Sequence, residues 1–223
     1  MAKTKASKPI TADTIISKYM DHVLEHEHFP LSIYKFCKQA SIKEADFYTH
    51  FGSFEGIQKK IWVAFFNQTH TLLAKDKAFE TYPNKEKMLA LFFTLFEVFT
   101  ANRSYILFVA GDKQSIKHLK QLSSIRSSIK DFATQLIEET NEKKTSRFTK
   151  NPVSLFSEGA WVQFLFLLKF WIDDQSPAFE KTDVAIEKSV TVIFDVFETT
   201  PLDSILDFGK FLVQDKFAFT KAK

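Results

Sequence analysis

Residues 32–55 read SIYKFCKQASIKEADFYTHFGSFE, and this stretch decides the fold. Ser32 is a good N-cap for a short helix. The inward positions of that helix recur at helical spacing: Ile33, Phe36, Cys37 and Ala40. A turn at Ser41-Ile42 leads into another short helix, which carries Phe47, Tyr48 and Phe51. Two short helices joined by a tight turn are typical of a helix-turn-helix DNA reader, whose second helix enters the major groove.

The flanking sequence is helical as well. A helix is predicted from near Thr11 to before Pro30, and a long one from Phe54 to about Lys77. Further helices are predicted at about 85–101, 103–110, 115–140, 153–173, 178–199 and 202–217. The sequence therefore predicts an all-α protein: an N-terminal arm and three-helix DNA-binding domain at 1–53, then a helical-bundle ligand-binding and dimerisation domain at 54–223.

Composition excludes several classes of protein. Phe occurs 26 times and Gly five times, which argues against a hairpin-rich β protein and against phosphate-cradling loops. The single cysteine, Cys37, permits no internal disulfide and fits a reducing compartment. No signal peptide is evident, and the apolar run from Trp161 to Leu168 is too short to span a bilayer. We expect a soluble, cytoplasmic protein without stable membrane insertion.

The block Phe47-Tyr48-Thr49-His50-Phe51-Gly52-Ser53-Phe54-Glu55 resembles the signature of the TetR family of transcriptional regulators. The resemblance runs from about Thr11 to Leu73. It implies that Tyr48 and His50 contact the DNA backbone and that four residues face bases: Lys43, Ala45, Asp46 and Thr49. Ser32, at a helix N-terminus, can present its hydroxyl and nearby N–H groups to a phosphate. Phosphate contacts would set affinity and register, and base contacts would set sequence choice.

The chain departs from that family at three points. Phe54 stands where the family commonly has a lysine, and the resemblance therefore implies the loss of one phosphate contact. Ser41 replaces the glycine of the turn. The recognition helix carries one positive charge, Lys43, and two negative ones, Glu44 and Asp46. Carboxylates can accept a hydrogen bond from cytosine N4, but they do not attract DNA electrostatically.

The predicted helix at 153–173 is apolar on nearly every side, so it must be covered on every side. Packing one face on its own domain and the other on a second subunit solves this, with 178–199 as its partner in a homodimer interface. The abundant aromatic residues also favour a cavity for a small hydrophobic ligand. The predicted lining residues are Phe92, Phe96, Phe108, Phe132, Trp161, Phe164 and Leu168.

A second resemblance leaves another function open. The segments 170–180 and 201–217 are similar to the lipid-binding accessory proteins of ubiquinone biosynthesis, which share the TetR fold but do not repress genes. That resemblance implies an isoprenoid or acyl ligand and an amphipathic helix at 202–217. The alternative interpretation is thus a lipid-binding protein that has lost DNA recognition; packing of 202–217 on its own domain is the simpler explanation of the apolar face.

Catalysis and metal binding are not predicted. The sequence has no nucleophile elbow, Walker loop, dinucleotide fingerprint or zinc-spaced Cys/His set, and no cofactor is expected. His22, His26 and His28 are predicted to form a solvated helix end rather than a metal site. The main hypothesis is a homodimeric, ligand-responsive regulator, most simply a repressor, that binds a near-palindromic site on double-stranded DNA.

Overall fold

The computed structural model describes residues 10–111, 121–142 and 151–199. All regular structure within these ranges is helical, which confirms the predicted all-α class. The helices are α1 (Ala12–His26), α2 (Ile33–Gln39), α3 (Glu44–His50), α4 (Phe54–Leu73), α5 (Asn84–Ala101), α6 (Arg103–Ala110), α7 (Ser123–Glu142), α8 (Val153–Asp173) and α9 (Glu180–Thr199). The predicted helix at 202–217 and the predicted start of α7 at 115 lie outside the described residues.

The described residues group into two compact units. One unit is drawn from Met1–Lys75 and Thr94–Ser128, and the other from Asp76–Phe93 and Ile129–Lys223. Helices α5 and α7 therefore each contribute residues to both units. The predicted boundary between 1–53 and 54–223 is of a different kind, since it separates a DNA-binding part from a ligand-binding part. That functional boundary stays a prediction.

Side-chain caps fix the helix starts of the first unit. The hydroxyls of Thr11, Ser32 and Ser53 each accept a hydrogen bond from a backbone N–H three residues on, at 3.2–3.3 Å. The predicted cap at Ser32 is thereby confirmed. These caps determine where α1, α2 and α4 begin, so the short α2 and α3 are placed between two longer helices.

Helix α4 ends earlier than predicted, at Leu73 rather than about Lys77. The Asp76 carboxylate accepts hydrogen bonds from the backbone N–H of Ala78 at 2.9 Å and from the hydroxyl of Tyr82 at 2.8 Å. Aspartate that bonds its own backbone two residues on favours a turn over a helix. A 3-10 turn at Phe79–Thr81 follows, and the prediction missed this local competition.

Helix α9 begins at Glu180, two residues later than predicted, because a turn at Pro177–Phe179 intervenes with Ala178 at φ 53°. The buried Asp174 anchors this start. Its carboxylate accepts from the backbone N–H and hydroxyl of both Ser176 and Thr182, at 2.6–2.9 Å. Burial alone would raise the pKa of Asp174, but these hydrogen bonds outweigh it and lower the pKa to about 2.

Candidate functional site

A tight turn joins α2 to α3. Ser41 adopts φ 55°, in the left-handed region, and the N–H of Ile42 donates to the carbonyl of Cys37 at 2.8 Å. Ile42 is buried beneath the turn, and Lys43 caps α3 with extended backbone. The turn is therefore held by a backbone hydrogen bond and a buried side chain even though it lacks a glycine.

An aromatic cluster orients the two short helices. The ring of Phe36 lies 6.0 Å from Tyr19, 6.3 Å from Phe47 and 5.7 Å from Phe54, each in an edge-on arrangement. Phe36 and Phe47 are fully buried, so they form the centre of the core that the short helices share. With Phe47 inward, the next residues along α3 face solvent.

The predicted DNA-contacting residues lie on α3 or at the start of α2, and most are exposed. Lys43, Ala45, Tyr48, Thr49 and His50 are exposed, while Ser32 and Asp46 are half-buried. The Tyr48 side chain keeps 52% of its accessible surface. This exposure leaves their side chains available to a partner, and their individual roles stay predictions.

Three of these residues already form hydrogen bonds within the chain. The Ser32 hydroxyl accepts from the N–H of Lys35, and the Thr49 hydroxyl donates to the carbonyl of Ala45 at 3.0 Å. The Nε2 of His50 lies 2.8 Å from the carbonyl oxygen of Ile10. His50 therefore ties the end of the recognition helix to the segment that precedes α1, a contact the sequence did not predict.

The charge on this surface is mixed. Lys35, Lys38 and Lys43 are exposed on α2 and at the start of α3, beside the exposed Glu44 and the half-buried Asp46. Lysines along α2 can neutralise phosphates, while the two carboxylates can accept hydrogen bonds from base amino groups. The arrangement suits backbone contact through α2 and selective contact through α3.

The histidines at the end of α1 differ in part from the prediction. His26 and His28 are exposed, but His22 is buried against Phe36, so its assignment to a solvated helix end is wrong. The amphipathic register of α1 turns position 22 inward together with Tyr19 and Val23. Among the described residues, no group of three or more His, Cys, Asp or Glu is arranged to hold a metal ion.

A wide apolar groove of about 1130 Å³ runs along α8 and α9. Its floor includes exposed aliphatic and aromatic side chains: Val162, Phe166, Val184 and Val192. Val162 keeps 63% of its surface in contact with solvent. The opposite face of α8 is buried, through Phe156, Phe164, Leu167, Leu168 and Trp171. Helix α8 is thus apolar on two faces, as predicted, and the described residues cover one of them.

Helix α8 is also long and apolar enough, by composition, to cross a membrane; core helices of soluble proteins have the same property. Charged residues break its open face. Glu158 pairs with Lys130 at 2.6 Å, and Lys169 pairs with Asp173. Among the described helices it alone meets that criterion.

The predicted ligand residues lie away from this groove. Five are buried: Phe92, Phe96, Phe132, Phe164 and Leu168; Phe108 and Trp161 are half-buried. None of the seven lines the groove, and Phe96 and Phe108 belong to one compact unit while the others belong to the second. Their assignment to a ligand stays a prediction. The groove lies on the second apolar face of α8, and the spacing of the apolar residues predicted that face.

Comparison with known proteins identifies a family and a related fold. Residues 87–212, more than half of the chain, match the family described as the tetracyclin repressor-like C-terminal domain. A crystal structure described as a TetR-family transcriptional regulator from Syntrophomonas wolfei superimposes with a TM-score of 0.62. The two are 18% identical, over 85% of this chain and 95% of that one, which shows a shared fold. No curated protein matches the sequence.

Proposed function

The chain belongs to the TetR family of transcriptional regulators, and from this premise we propose that it is a homodimeric repressor that reads a near-palindromic DNA site. One observation carries the proposal. The buried contact between Phe36 and Phe47 holds α3 so that Lys43, Tyr48 and Thr49 face solvent side by side with the lysines of α2. This is the placement that a recognition helix needs.

Each part of the surface has its own role in binding. A DNA phosphate binds at Ser32 and the start of α2, with Lys35 and Lys38 beside it. The DNA backbone next to α3 is contacted by Tyr48 and His50. Lys43, Ala45, Asp46 and Thr49 face base edges. Asp46 favours cytosine, whose N4 donates, while Lys43 favours guanine O6 and N7. Affinity then rests on α2 and the selection of sequence on α3.

The groove along α8 and α9 receives the same groove of a second copy. An isologous interface places each residue opposite its two-fold counterpart. The rim carries both signs of charge, Glu158 and Glu180 against Lys181 and Lys188, so opposite charges can pair across the axis. The dimer sets the two α3 helices about 34–36 Å apart or slightly more, which fits successive major-groove faces.

A hydrophobic effector releases the DNA. Aromatic residues of the second unit supply the apolar surface for such a ligand, including Phe92, Phe132 and Phe164. The ligand favours a dimer whose α3 spacing does not match DNA, and its effect is limited to its differential affinity for the two states. The protein works in the cytoplasm, by binding rather than catalysis.

Selection of binding sites from a pool of genomic fragments tests the proposal. The wild-type protein is expected to enrich a near-palindromic site. Tyr48→Ala, at a side chain that is 52% exposed and contacts Phe47 edge-on at 5.5 Å, should fold and enrich nothing. Circular dichroism and thermal unfolding establish that the variant is folded. Equal enrichment by both proteins, or none by the wild type, contradicts the proposal.

A lipid-binding role is the second candidate, favoured by the apolar groove and by the acidic residues Glu44 and Asp46 on α3. Mass spectrometry of the purified protein separates the two. A co-purifying isoprenoid or acyl lipid, in a protein that selects no DNA, favours the lipid-binding role. A selected DNA site excludes the loss of DNA recognition that this role requires.

A further inference from the structure

Three histidines meet where α1 ends. His22 and His26 lie one helical turn apart with their rings stacked, 4.2 Å between centroids at an interplanar angle of 19°. The chain reverses at Glu27, whose φ is 54°, and brings His28 edge-on to both rings at 5.9 and 5.8 Å. We call His22, His26 and His28 the histidine cluster.

Two hydrogen bonds fix the rings of His26 and His28. The Nδ1 of His26 lies 3.0 Å from the carbonyl oxygen of His22, and the Nδ1 of His28 lies 2.9 Å from that of Phe29. Since a carbonyl oxygen only accepts, both Nδ1 atoms carry the proton. These bonds hold both rings against that of His22.

His22 connects the cluster to the DNA-reading core. It is 9% exposed, and its buried Nε2 has no hydrogen-bond partner among the described residues. Its ring stands edge-on to Phe36 at 5.8 Å and 89°, and Phe36 in turn holds Phe47 of α3. A proton on Nε2 of His22 would thus have no hydrogen-bond acceptor. It would also place a positive charge beside the aromatic cluster that orients α3.

Electrostatic interactions also disfavour the charged form of His22. Burial lowers the pKa of His22, the neighbouring His26 and His28 lower it further, and Glu25 opposes them. The contact from α2 is the uncharged ring of Phe36. Helix α6 also packs on α1 and carries Arg103 and Tyr105, neither of which contributes to this shift. Because the folded state binds this proton less well than the unfolded chain does, stability falls as the pH drops through about 6.5 toward the lowered value.

We propose that the histidine cluster is a proton-operated switch of the DNA-reading unit. Protonation of His22, whose buried Nε2 has no hydrogen-bond partner among the described residues, turns its ring away from Phe36, so that α2 and α3 lose their orientation and DNA is released. The second half rests on the proposed function, since it requires DNA binding, whereas the titration and its effect on stability do not.

The cluster is tested first without DNA, in the full chain with EDTA present. NMR titration of the histidine rings compares wild type with His26→Gln/His28→Gln, in which both replaced side chains are exposed. The midpoint of His22 should rise toward about 6.5 in the double variant, while that of the distant His70 in α4 stays unchanged. The fall in Tm between about pH 7.5 and 5.5 should shrink at least by half.

Control variants keep the outcome decisive. Lys75→Gln, exposed beyond the end of α4 and outside the cluster, should leave the His22 midpoint and the fall in Tm unchanged. If the double variant fails to fold, His28→Gln alone should shift His22 in the same direction by a smaller amount. An unchanged His22 midpoint with an unchanged fall in Tm overturns the proposal, as does an effect that appears only with added zinc.

The DNA arm uses a fragment selected by the wild-type protein. Its affinity should fall about tenfold or more from pH 7.5 to 5.5 for the wild type and by less than about threefold for the double variant. Equal falls overturn the coupling to DNA. If no fragment is bound at any pH, the proposed function fails, and the NMR and Tm arms still decide whether the cluster titrates as proposed.

Discussion

The ring of Phe54 lies edge-on to that of Phe36, with 5.7 Å between centroids and an interplanar angle of 83°. Phe54 is the first residue of α4, and its ring also contacts Tyr19 at 5.6 Å and Phe47 at 5.9 Å. One side chain thereby fastens the start of α4 to α1, α2 and α3. At the position where a family lysine would contact phosphate, this chain has an aromatic residue that stabilises the reading unit.

Replacing Phe54 with lysine should therefore lower stability rather than improve DNA binding. Because the ring is half-exposed, we expect the free energy of unfolding to fall by about 2 kcal/mol, less than for a fully buried Phe. Urea unfolding measures the change. Leu31→Ala, at a side chain that is 83% exposed, is the control and should change stability by less than about 0.5 kcal/mol. Unchanged stability with tighter DNA binding would mean that Phe54 is only a missing phosphate contact.

Ser41→Gly should stabilise the protein. Ser41 holds φ 55°, where a side chain is disfavoured by about 1–2 kcal/mol, and glycine relieves this at the cost of a more flexible unfolded chain. The net gain expected in chemical denaturation is about 0.5–1 kcal/mol. Ser127→Gly is the matched control, because Ser127 is exposed and lies inside α7. This variant should have a free energy of unfolding lower by about 0.5–1 kcal/mol. A loss at both positions would show that the turn at Ser41 carries no strain.

Asp174→Asn should weaken the anchor of α9 and flatten the acid limb of the stability curve. With its pKa lowered from 3.8 to about 2 in the folded state, Asp174 stabilises the protein above pH 3.8, and that stability is lost as the pH falls through 3.8 toward 2. The free energy of unfolding of the variant should be lower than that of the wild type by about 2 kcal/mol at neutral pH. Tm measured from about pH 6 to 2 tests this. Parallel curves for the two proteins would refute the assignment of this acid-sensitive stability to Asp174.

A charge placed in the groove should separate the dimer. Phe166→Glu puts a carboxylate opposite or beside its two-fold counterpart, in an apolar surface where an unpaired charge is costly. Sedimentation equilibrium should show dimers for the wild type and monomers for Phe166→Glu. Leu72→Glu, at an exposed leucine of α4 outside the groove, should remain dimeric. Dissociation of both variants, or of neither, would rule out the groove as the interface.

Local signals in the sequence were sufficient for much of the fold. Ser32 capped α2 as predicted because capping depends on one side chain and the backbone three residues on. The two apolar faces of α8 could also be predicted, since helical spacing alone places Phe164 and Phe166 on different sides. The end of α4 and the start of α9 were misplaced because side-chain hydrogen bonds of Asp76 and Asp174 decide them.

Features that depend on packing between helices were not predictable. Phe54 was interpreted as a lost contact because nothing in the sequence shows that its ring reaches Tyr19 and Phe47. The burial of His22 likewise depends on Phe36, fourteen residues away in the chain. A phenylalanine of the core and one that lines a cavity have the same spacing, so the sequence could not separate them.

The central claim, that α2 and α3 bind DNA, is tested most directly by fluorescence anisotropy with genomic fragments, including the DNA upstream of the protein's own gene, at two salt concentrations. We predict selective binding that weakens with salt, is abolished by Tyr48→Phe or Tyr48→Ala with the fold intact, and has a smaller salt dependence, by about one unit of log–log slope, for Lys38→Gln. Lys75→Gln, exposed beyond the end of α4, should bind as the wild type does. No selective binding even at low salt would contradict the account.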